Sequence, residues 1–421
     1  MSQGATITRR RFIGAAAAGA AGITALGSWA PKAFSGPNGK GERLVPPGKL
    51  GIQQWSVRDA ITRLDRSVSG YLGGPTFPDD PTDLGPLVPL PGGFRAVFEY
   101  LASVDVKGFE FFQFTQGANG AITHAQIRQA LDNAGLRAVG THTGSVGALS
   151  NPATLQQQIE IAQILGYTLI GTAGDPSARS TLGDNPANPN QIGWQTAADR
   201  ANAFGDVLAA AGITWYWHPE QNAFRFFEDP AHPELSRTRR IDWWTANTNP
   251  ATIRFQPDIL HAYAGRARFP DPVDGSLWDA VGFWKTNAHR LIGWHVKDGS
   301  RIEPPPAPGV NPFTQTIART PTFTDAIIAG EGSIGQGYPV DPDPAVIGFK
   351  RLFDEVAQKG AKLYLIESDS GPGPATDLGR SLRHAKLSAQ YLLGLRAGSK
   401  AHAHSTVADQ APLESEAESG G

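Results

Sequence analysis

The chain has 421 residues, which allows two or three domains or one large barrel of about 250 residues or more. Its 37 basic and 39 acidic residues nearly balance, so the composition predicts no basic surface for nucleic acid or for an anionic membrane. The absence of cysteine excludes disulfides and thiolate metal sites. We therefore expect partners that are small and nearly neutral.

The N-terminus has the order of a secretory signal, in the stretch TRRRFIGAAAAGAAGITALGSWAPKA. The pair Arg9 and Arg10, with a phenylalanine two positions on, is typical of the twin-arginine export signal. A weakly hydrophobic run and a small-residue site near Ala30 or Ala33 follow, and the run is too short and too rich in glycine for a permanent membrane span. We predict a signal and linker over residues 1–40, with export to the periplasm or the medium. An ordinary amphipathic N-terminal helix is the alternative.

Residues 41–396 are predicted to form one catalytic domain, because eight short apolar runs recur and helical patterns follow most of them. The runs are KLGIQQWS at 49, GFEFFQF at 108, RAVGTHTG at 137, TLIGTAG at 168, TWYWHPE at 214, IRFQPDI at 253, LIGWHVKD at 291 and KLYLIESD at 362. This alternation predicts an α/β fold, a single-domain (β/α)8 TIM barrel. A doubly wound sheet also alternates, but it gives no reason for the residues at the strand ends.

Several predicted helices end at a glycine, as expected of helix C-termini. Three connections, 60–93, 221–250 and 299–345, are long and rich in Pro, Gly or aromatic residues. In a barrel, such loops lie on the C-terminal face and surround the active site, although idle surface insertions are the alternative. The polar, acidic stretch 397–421 has no apolar face and is predicted to be a disordered tail.

Ionisable residues collect where the apolar runs end, which is where a barrel places its active site. They are His142 after the third run, His218 and Glu220 after the fifth, Asp258 and His261 after the sixth, His295, Lys297 and Asp298 after the seventh, and Glu367 and Asp369 after the eighth. Converging carboxylates repel one another and lose hydration unless a cation lies among them. The oxygen and nitrogen donors suit Mn²⁺, Mg²⁺, Co²⁺ or Zn²⁺. Any one of these residues alone is more often a surface or helix-capping group.

The same strand ends resemble those of the xylose-isomerase-like TIM-barrel family of sugar isomerases and epimerases. The segments LGIQQWSVRDA, GTHTG, FQPDILHAYAG, WHVKDG, GEGSIG and YLIESD follow the order of that family's signatures across residues 49–396. The resemblance implies one divalent cation held by Glu, Asp, His and Glu from strands 5 to 8.

Three of these implied ligands fall on Asp258, His295 and Glu367, and a substrate-contacting histidine falls on His261. At strand 5 the first ligand is His218 or Glu220, and Glu220 is preferred for its charge. Glu331, in GEGSIG, is expected to belong to a structural turn.

These residues predict an enzyme that moves a proton next to a carbonyl through an enediolate, with Mn²⁺ as the first candidate cofactor. Glu220 and Glu367 are the candidate base and acid, and His142, His218, His261 and Lys297 are candidate contacts to substrate oxygens. The reaction is isomerisation or epimerisation, with elimination as a variant. The substrate is expected to be a non-phosphorylated sugar, keto-sugar or glycoside, because no run of Lys or Arg predicts a phosphate clamp.

Two other functions also fit the sequence. The fold also supports metal-dependent endonucleases acting on abasic DNA, although the net charge of −2 and the export signal count against that function. A non-catalytic exported sugar-binding barrel would keep the aromatic residues and could lose the metal. We expect a carbohydrate partner, no nucleic acid, no membrane once the signal is removed, and a fold compatible with a homo-oligomer.

Overall fold

The computed structural model describes residues 42–64, 92–112, 123–302, 322–326, 328–330, 332–336, 348–356, 362–371 and 380–396. The predicted export signal at 1–40, the predicted tail at 397–421 and Glu331 lie outside these ranges, so they stay predictions.

The eight predicted strands are confirmed, and all pair in parallel. They are β1 (Leu50–Gln53), β2 (Gly108–Phe111), β3 (Arg137–Thr141), β4 (Leu169–Thr172), β5 (Thr214–Trp217), β6 (Ile253–Phe255), β7 (Trp294–Val296) and β10 (Tyr364–Ile366). Their order in the sheet is β6-β5-β4-β3-β2-β1-β10-β7. Parallel bridges between Phe255 and Leu291 and between Asp258 and His295 join β6 to β7, so the sheet closes on itself as a (β/α)8 barrel.

Strand β5 shows why the apolar runs fold in this way. Trp215 and Trp217 face the helices: the Trp215 indole donates to the Gly144 carbonyl at 2.7 Å, and the Trp217 ring packs on Trp244 with centroids 5.6 Å apart. Tyr216 faces the barrel interior, where its hydroxyl donates to Glu110 at 2.8 Å. Both faces of the strand are therefore buried, as is usual in parallel sheets. The next residue on the interior side is His218.

Helices surround the barrel. They are α1 (Arg58–Leu64), α2 (Gly92–Ser103), α3 (His124–Ala134), α4 (Val146–Leu149), α5 (Pro152–Leu165), α6 (Trp194–Ala210), α7 (Arg240–Asn247), α8 (Ile259–Arg268), α9 (Ala280–Thr286), α10 (Ser333–Gln336), α11 (Phe349–Glu355) and α12 (Arg380–Gly394). Helix α3 starts with a capping box between Thr123 and Gln126. Gly135 and Gly166 end α3 and α5 in the left-handed conformation, as predicted. None of the described helices is long and apolar enough to cross a membrane.

The predicted loop after strand 7 contains structure that the sequence analysis did not predict. Strands β8 (Asp298–Ile302) and β9 (Thr322–Ala326) form an antiparallel two-stranded ribbon beside the barrel. Asp298 fixes the segment that follows, because its carboxylate accepts backbone N–H bonds at 2.7 to 3.1 Å. The donors are Gly299, Gly330, Gly332 and Gly335. A Cβ at Gly332 or Gly335 would collide with this carboxylate, which explains the last two glycines of GEGSIG.

Candidate metal centre

Four predicted site residues come together at the C-terminal ends of the strands. His218 follows β5, Asp258 follows β6, His295 lies in β7 and Glu367 follows β10. One nitrogen or oxygen from each side chain lies within 4.8 Å of the other three. All four residues are buried, from fully for Asp258 and His295 to 8% exposed for Glu367. We call these four residues the metal centre candidate.

The spacing around His218 suits a shared cation better than direct contact. His218 Nε2 lies 3.9 Å from Asp258 Oδ2 and 4.0 Å from Glu367 Oε2, too far for hydrogen bonds. Donors bound to one ion at about 2.0 to 2.2 Å lie roughly 3 to 4 Å from one another. Asp258 Oδ2 and His218 Nδ1 are buried and have no hydrogen-bond partner within the described part of the chain. The residues present therefore fit a divalent metal ion.

His295 lies between two carboxylates. Its Nδ1 donates to Glu367 Oε2 and its Nε2 to Glu110 Oε2, the latter at 2.7 Å. Burial alone would lower the pKa of His295, but Glu367 and Glu110 outweigh burial and raise this pKa to about 10. Burial would raise the pKa of Glu367, yet Lys297 and His295 hold it well below its usual value. Without a metal, the His295 ring is therefore an imidazolium paired with carboxylates.

Glu110 is a site residue that the sequence analysis missed. It lies within β2 and is 1% exposed. Besides His295, its carboxylate accepts bonds from the Tyr216 hydroxyl at 2.8 Å and from Gln256 Nε2 at 2.6 Å. Burial acts to raise the pKa of Glu110, but His142 and His295 lower it overall. The available signal was a single charged residue inside the apolar run GFEFFQF.

His142 belongs to the same buried layer as Glu110. Its Nε2 lies 2.8 Å from Gln256 Oε1 and 3.2 Å from Glu110 Oε2, and its ring stacks on His295 with centroids 5.0 Å apart. Burial lowers the pKa of His142, and that of His218 further. Both rings are therefore neutral near pH 7, as metal-binding or hydrogen-bond-accepting imidazoles must be. Donor atoms of His142, His218 and His295 also lie within 4.8 Å of one another.

Lys297 neutralises part of the acidic charge at the site. Its Nζ lies 3.0 Å from Asp369 Oδ2, 3.4 Å from Asp258 Oδ2 and 3.6 Å from Glu367 Oε1. Burial would lower the pKa of Lys297, but these carboxylates raise it well above its usual value. The same Nζ lies 3.4 Å from His261 Nε2, so the predicted substrate-contacting residues Lys297 and His261 are adjacent. Because Lys297 already offsets some of this charge, the convergence of carboxylates is a weaker argument for a metal than the spacing around His218.

Glu220 lies beside the metal centre candidate but is not part of it. Among the described residues, the group of four contains His218 instead. Strand β5 ends at Trp217, and Glu220 leads into a 3₁₀ turn, Gln221–Phe224. Its half-buried side chain lines a separate cavity with Asp175 and Arg240. Burial, and then the charge of Glu367, raise the pKa of Glu220 to about 7. Metal binding by Glu220 or by any residue of the group stays a prediction.

Comparison with known proteins gives the family. The family model of the xylose isomerase-like TIM barrel matches residues 98–387, more than half of the chain. The chain therefore belongs to the xylose isomerase-like TIM barrel family, as its sequence predicted. No curated protein matches it significantly.

Several solved structures of low sequence identity are similar to this chain. Two are sugar phosphate isomerase/epimerase structures from Parabacteroides distasonis ATCC 8503. One is 15% identical with a TM-score of 0.51, covering 83% of this chain and 100% of the other. The second is 17% identical with a TM-score of 0.49, covering 83% and 95%. A third, a xylose isomerase-like TIM barrel protein from Mycobacterium smegmatis in complex with magnesium, is 13% identical with a TM-score of 0.43, covering 72% and 88%.

Proposed function

We propose that this protein is a divalent-metal-dependent isomerase or epimerase of a sugar. The family includes sugar isomerases and epimerases, which supports the reaction class. The observation that carries the proposal is the group of donor atoms from His218, Asp258 and His295, completed by Glu367, all within 4.8 Å of one another. Of the two alternatives at strand 5, this geometry favours His218 over Glu220 as ligand. Mn²⁺ remains the first candidate, with Mg²⁺, Co²⁺ and Zn²⁺ as alternatives.

A divalent cation held there would polarise a sugar carbonyl and the neighbouring hydroxyl, which makes the carbon-bound proton between them more acidic. The chain must then supply a group that accepts this proton and returns it. Glu220 suits that role, because its half-buried carboxylate is close enough to interact with Glu367 and Asp258 but is not part of the four-residue group. Glu367 is the second candidate, since it follows β10 and contacts Lys297 at 3.6 Å.

The remaining polar residues fall into two roles. Lys297 and His261 are adjacent at the strand ends and can donate hydrogen bonds to substrate oxygens. His142 lies deeper, bonded to Gln256 and Glu110, and is proposed to hold the His295 ring in place instead of touching the sugar. Support of this kind fixes ring orientation in metal sites, and its removal typically lowers metal affinity about 10- to 100-fold.

The test is metal-dependent exchange of carbon-bound protons. Purified full-length protein is incubated in D₂O with a panel of aldoses and ketoses, and loss of the proton signal next to the carbonyl is followed by NMR. We expect exchange with at least one sugar, its loss after chelation, and its return on adding Mn²⁺. Binding of sugars without exchange would instead identify a non-catalytic binding barrel. Exchange that is indifferent to chelation would contradict the role of the metal.

A further inference from the structure

The cavity that Glu220 lines has a volume of about 540 Å³ and lies in the loops after β4 and β5. Three arginines line it, although they are far apart in the sequence: Arg179, Arg225 and Arg240. We call it the arginine cavity. This cavity could not be predicted from the sequence, because the three arginines converge only when two loops fold together.

Arg240 has donors that the described residues leave unused. It is 5% exposed, and its Nε is buried with no hydrogen-bond partner in the described part of the chain. Its nearest charged neighbour is Asp175, at 3.7 Å from Nη1, which is longer than a charge-assisted hydrogen bond. A buried guanidinium N–H without an acceptor requires an explanation, and a ligand oxygen in the cavity supplies one.

Arg179 repeats this pattern from the other loop. Its Nη1 is buried and has no hydrogen-bond partner among the residues that the structure describes. The backbone around it is well anchored, because the Trp194 indole donates to the Arg179 carbonyl at 2.8 Å and Ser177 Oγ donates to the Ile192 carbonyl at 2.7 Å. Arg225 is tied to Arg240 by a backbone hydrogen bond of 3.0 Å. The cavity is therefore prepared for an acceptor before a ligand arrives.

The charge of the cavity indicates which anion it takes. Its lining also carries three carboxyl groups, those of Asp175, Glu220 and Glu228, which offset part of the three guanidinium charges. Glu228 is already bonded to Arg225 at 2.8 Å. A dianionic phosphate would be repelled by these carboxylates, whereas a carboxylate brings one charge and two oxygens that match the guanidinium fork.

We propose that the arginine cavity binds the carboxylate of an acidic sugar. Glu220 borders the cavity and is only two residues from His218, about 7 Å along extended chain. Because Glu220 lines the cavity and follows His218 so closely, the two sites adjoin, and we infer that one sugar acid occupies both, with its carboxylate by Arg240. The sugar part of this assignment rests on the proposed function, whereas the carboxylate part rests on the arginines alone.

The experiment compares ligands that differ only at carbon 6. Hexuronates, neutral hexoses and hexose 6-phosphates of the gluco, galacto and manno configurations are titrated calorimetrically into full-length protein, with and without chelator. We expect hexuronates to bind at least about tenfold more tightly than the matching hexoses, and Arg240→Gln to remove that difference. Arg179→Gln provides a second variant if Arg240→Gln fails to fold. The control is Arg237→Gln, because Arg237 pairs with Asp271 and Asp274 outside the cavity.

Each outcome decides the proposal. Equal binding of hexuronates and hexoses, no hexuronate binding, or a preference that survives Arg240→Gln and Arg179→Gln would overturn it. Tighter binding of the 6-phosphates would overturn the choice of a carboxylate. Because binding is also measured in chelator, where no metal-dependent turnover occurs, failure of the proposed isomerase function would leave this proposal intact. Loss of the hexuronate preference would likewise leave the isomerase proposal intact.

Discussion

The choice between His218 and Glu220 gives the sharpest prediction about the metal centre candidate. His218→Ala removes a nitrogen that lies 3.9 Å from Asp258 Oδ2 and 4.0 Å from Glu367 Oε2, and leaves three of four donors. Losing only a supporting residue of a metal ligand costs about 10- to 100-fold in affinity, so losing a ligand should cost at least about 100-fold, or roughly 2.7 kcal/mol. Glu220→Gln lies outside the group and should change affinity less than about threefold.

The assay is calorimetric titration of Mn²⁺ into chelator-stripped protein, with thermal unfolding to confirm that each variant is folded. His218→Ala should bind weakly or not at all, while Glu220→Gln should bind like the wild type but lose proton exchange with the sugar panel. The reverse result, with metal retained in His218→Ala and lost in Glu220→Gln, would refute the assignment of strand 5 and restore the preference for the charged residue.

Three further predictions concern residues around the site. Glu110→Gln should keep the fold but weaken Mn²⁺ binding about 10- to 100-fold by calorimetry, because His295 loses the carboxylate that orients its ring; unchanged affinity would exclude this role. Because the pKa of His295 is raised to about 10 in the metal-free protein, Mn²⁺ binding must displace a proton from this ring. The Mn²⁺ affinity should therefore rise about tenfold per pH unit from pH 7 to 9, and an affinity independent of pH would contradict this prediction. Asp298→Ala should lower the free energy of unfolding by at least about 3 kcal/mol in denaturant titrations, because four backbone N–H groups lose their acceptor. A loss below about 1 kcal/mol would show that water replaces the carboxylate as acceptor.

The barrel could be predicted because its strands are buried on both faces and therefore appear as short apolar runs between helical patterns. The β8–β9 ribbon could not be predicted, because a segment such as DGSRI contains no apolar run and is extended only through its pairing with β9. The strand ends bring donor atoms of His218, Asp258 and His295 close together, whereas their role as metal ligands stays a prediction. The same rule treated Glu220 as an extension of β5, although the strand stops at Trp217 and the chain then turns.

Residues inside strands were harder to predict than residues at their ends. Glu110 lies within β2, and only closure of the barrel brings it across the interior to His295, because β1 and β10 separate their strands. The arginine cavity was missed for a similar reason, because Arg179 and Arg240 are 61 positions apart and only the packing of two loops unites them. Patterns along the sequence predict helices, strands and their ends. Contacts between charged residues on different strands depend instead on closure of the barrel.

The most direct test of the central claim is anomalous X-ray diffraction from crystals soaked in Mn²⁺. We expect one anomalous peak with His218, Asp258, His295 and Glu367 as ligands, at about 2.0 to 2.2 Å from their donor atoms. A peak bound by other residues, or no peak at saturating Mn²⁺, would contradict the claim that these four side chains share one cation.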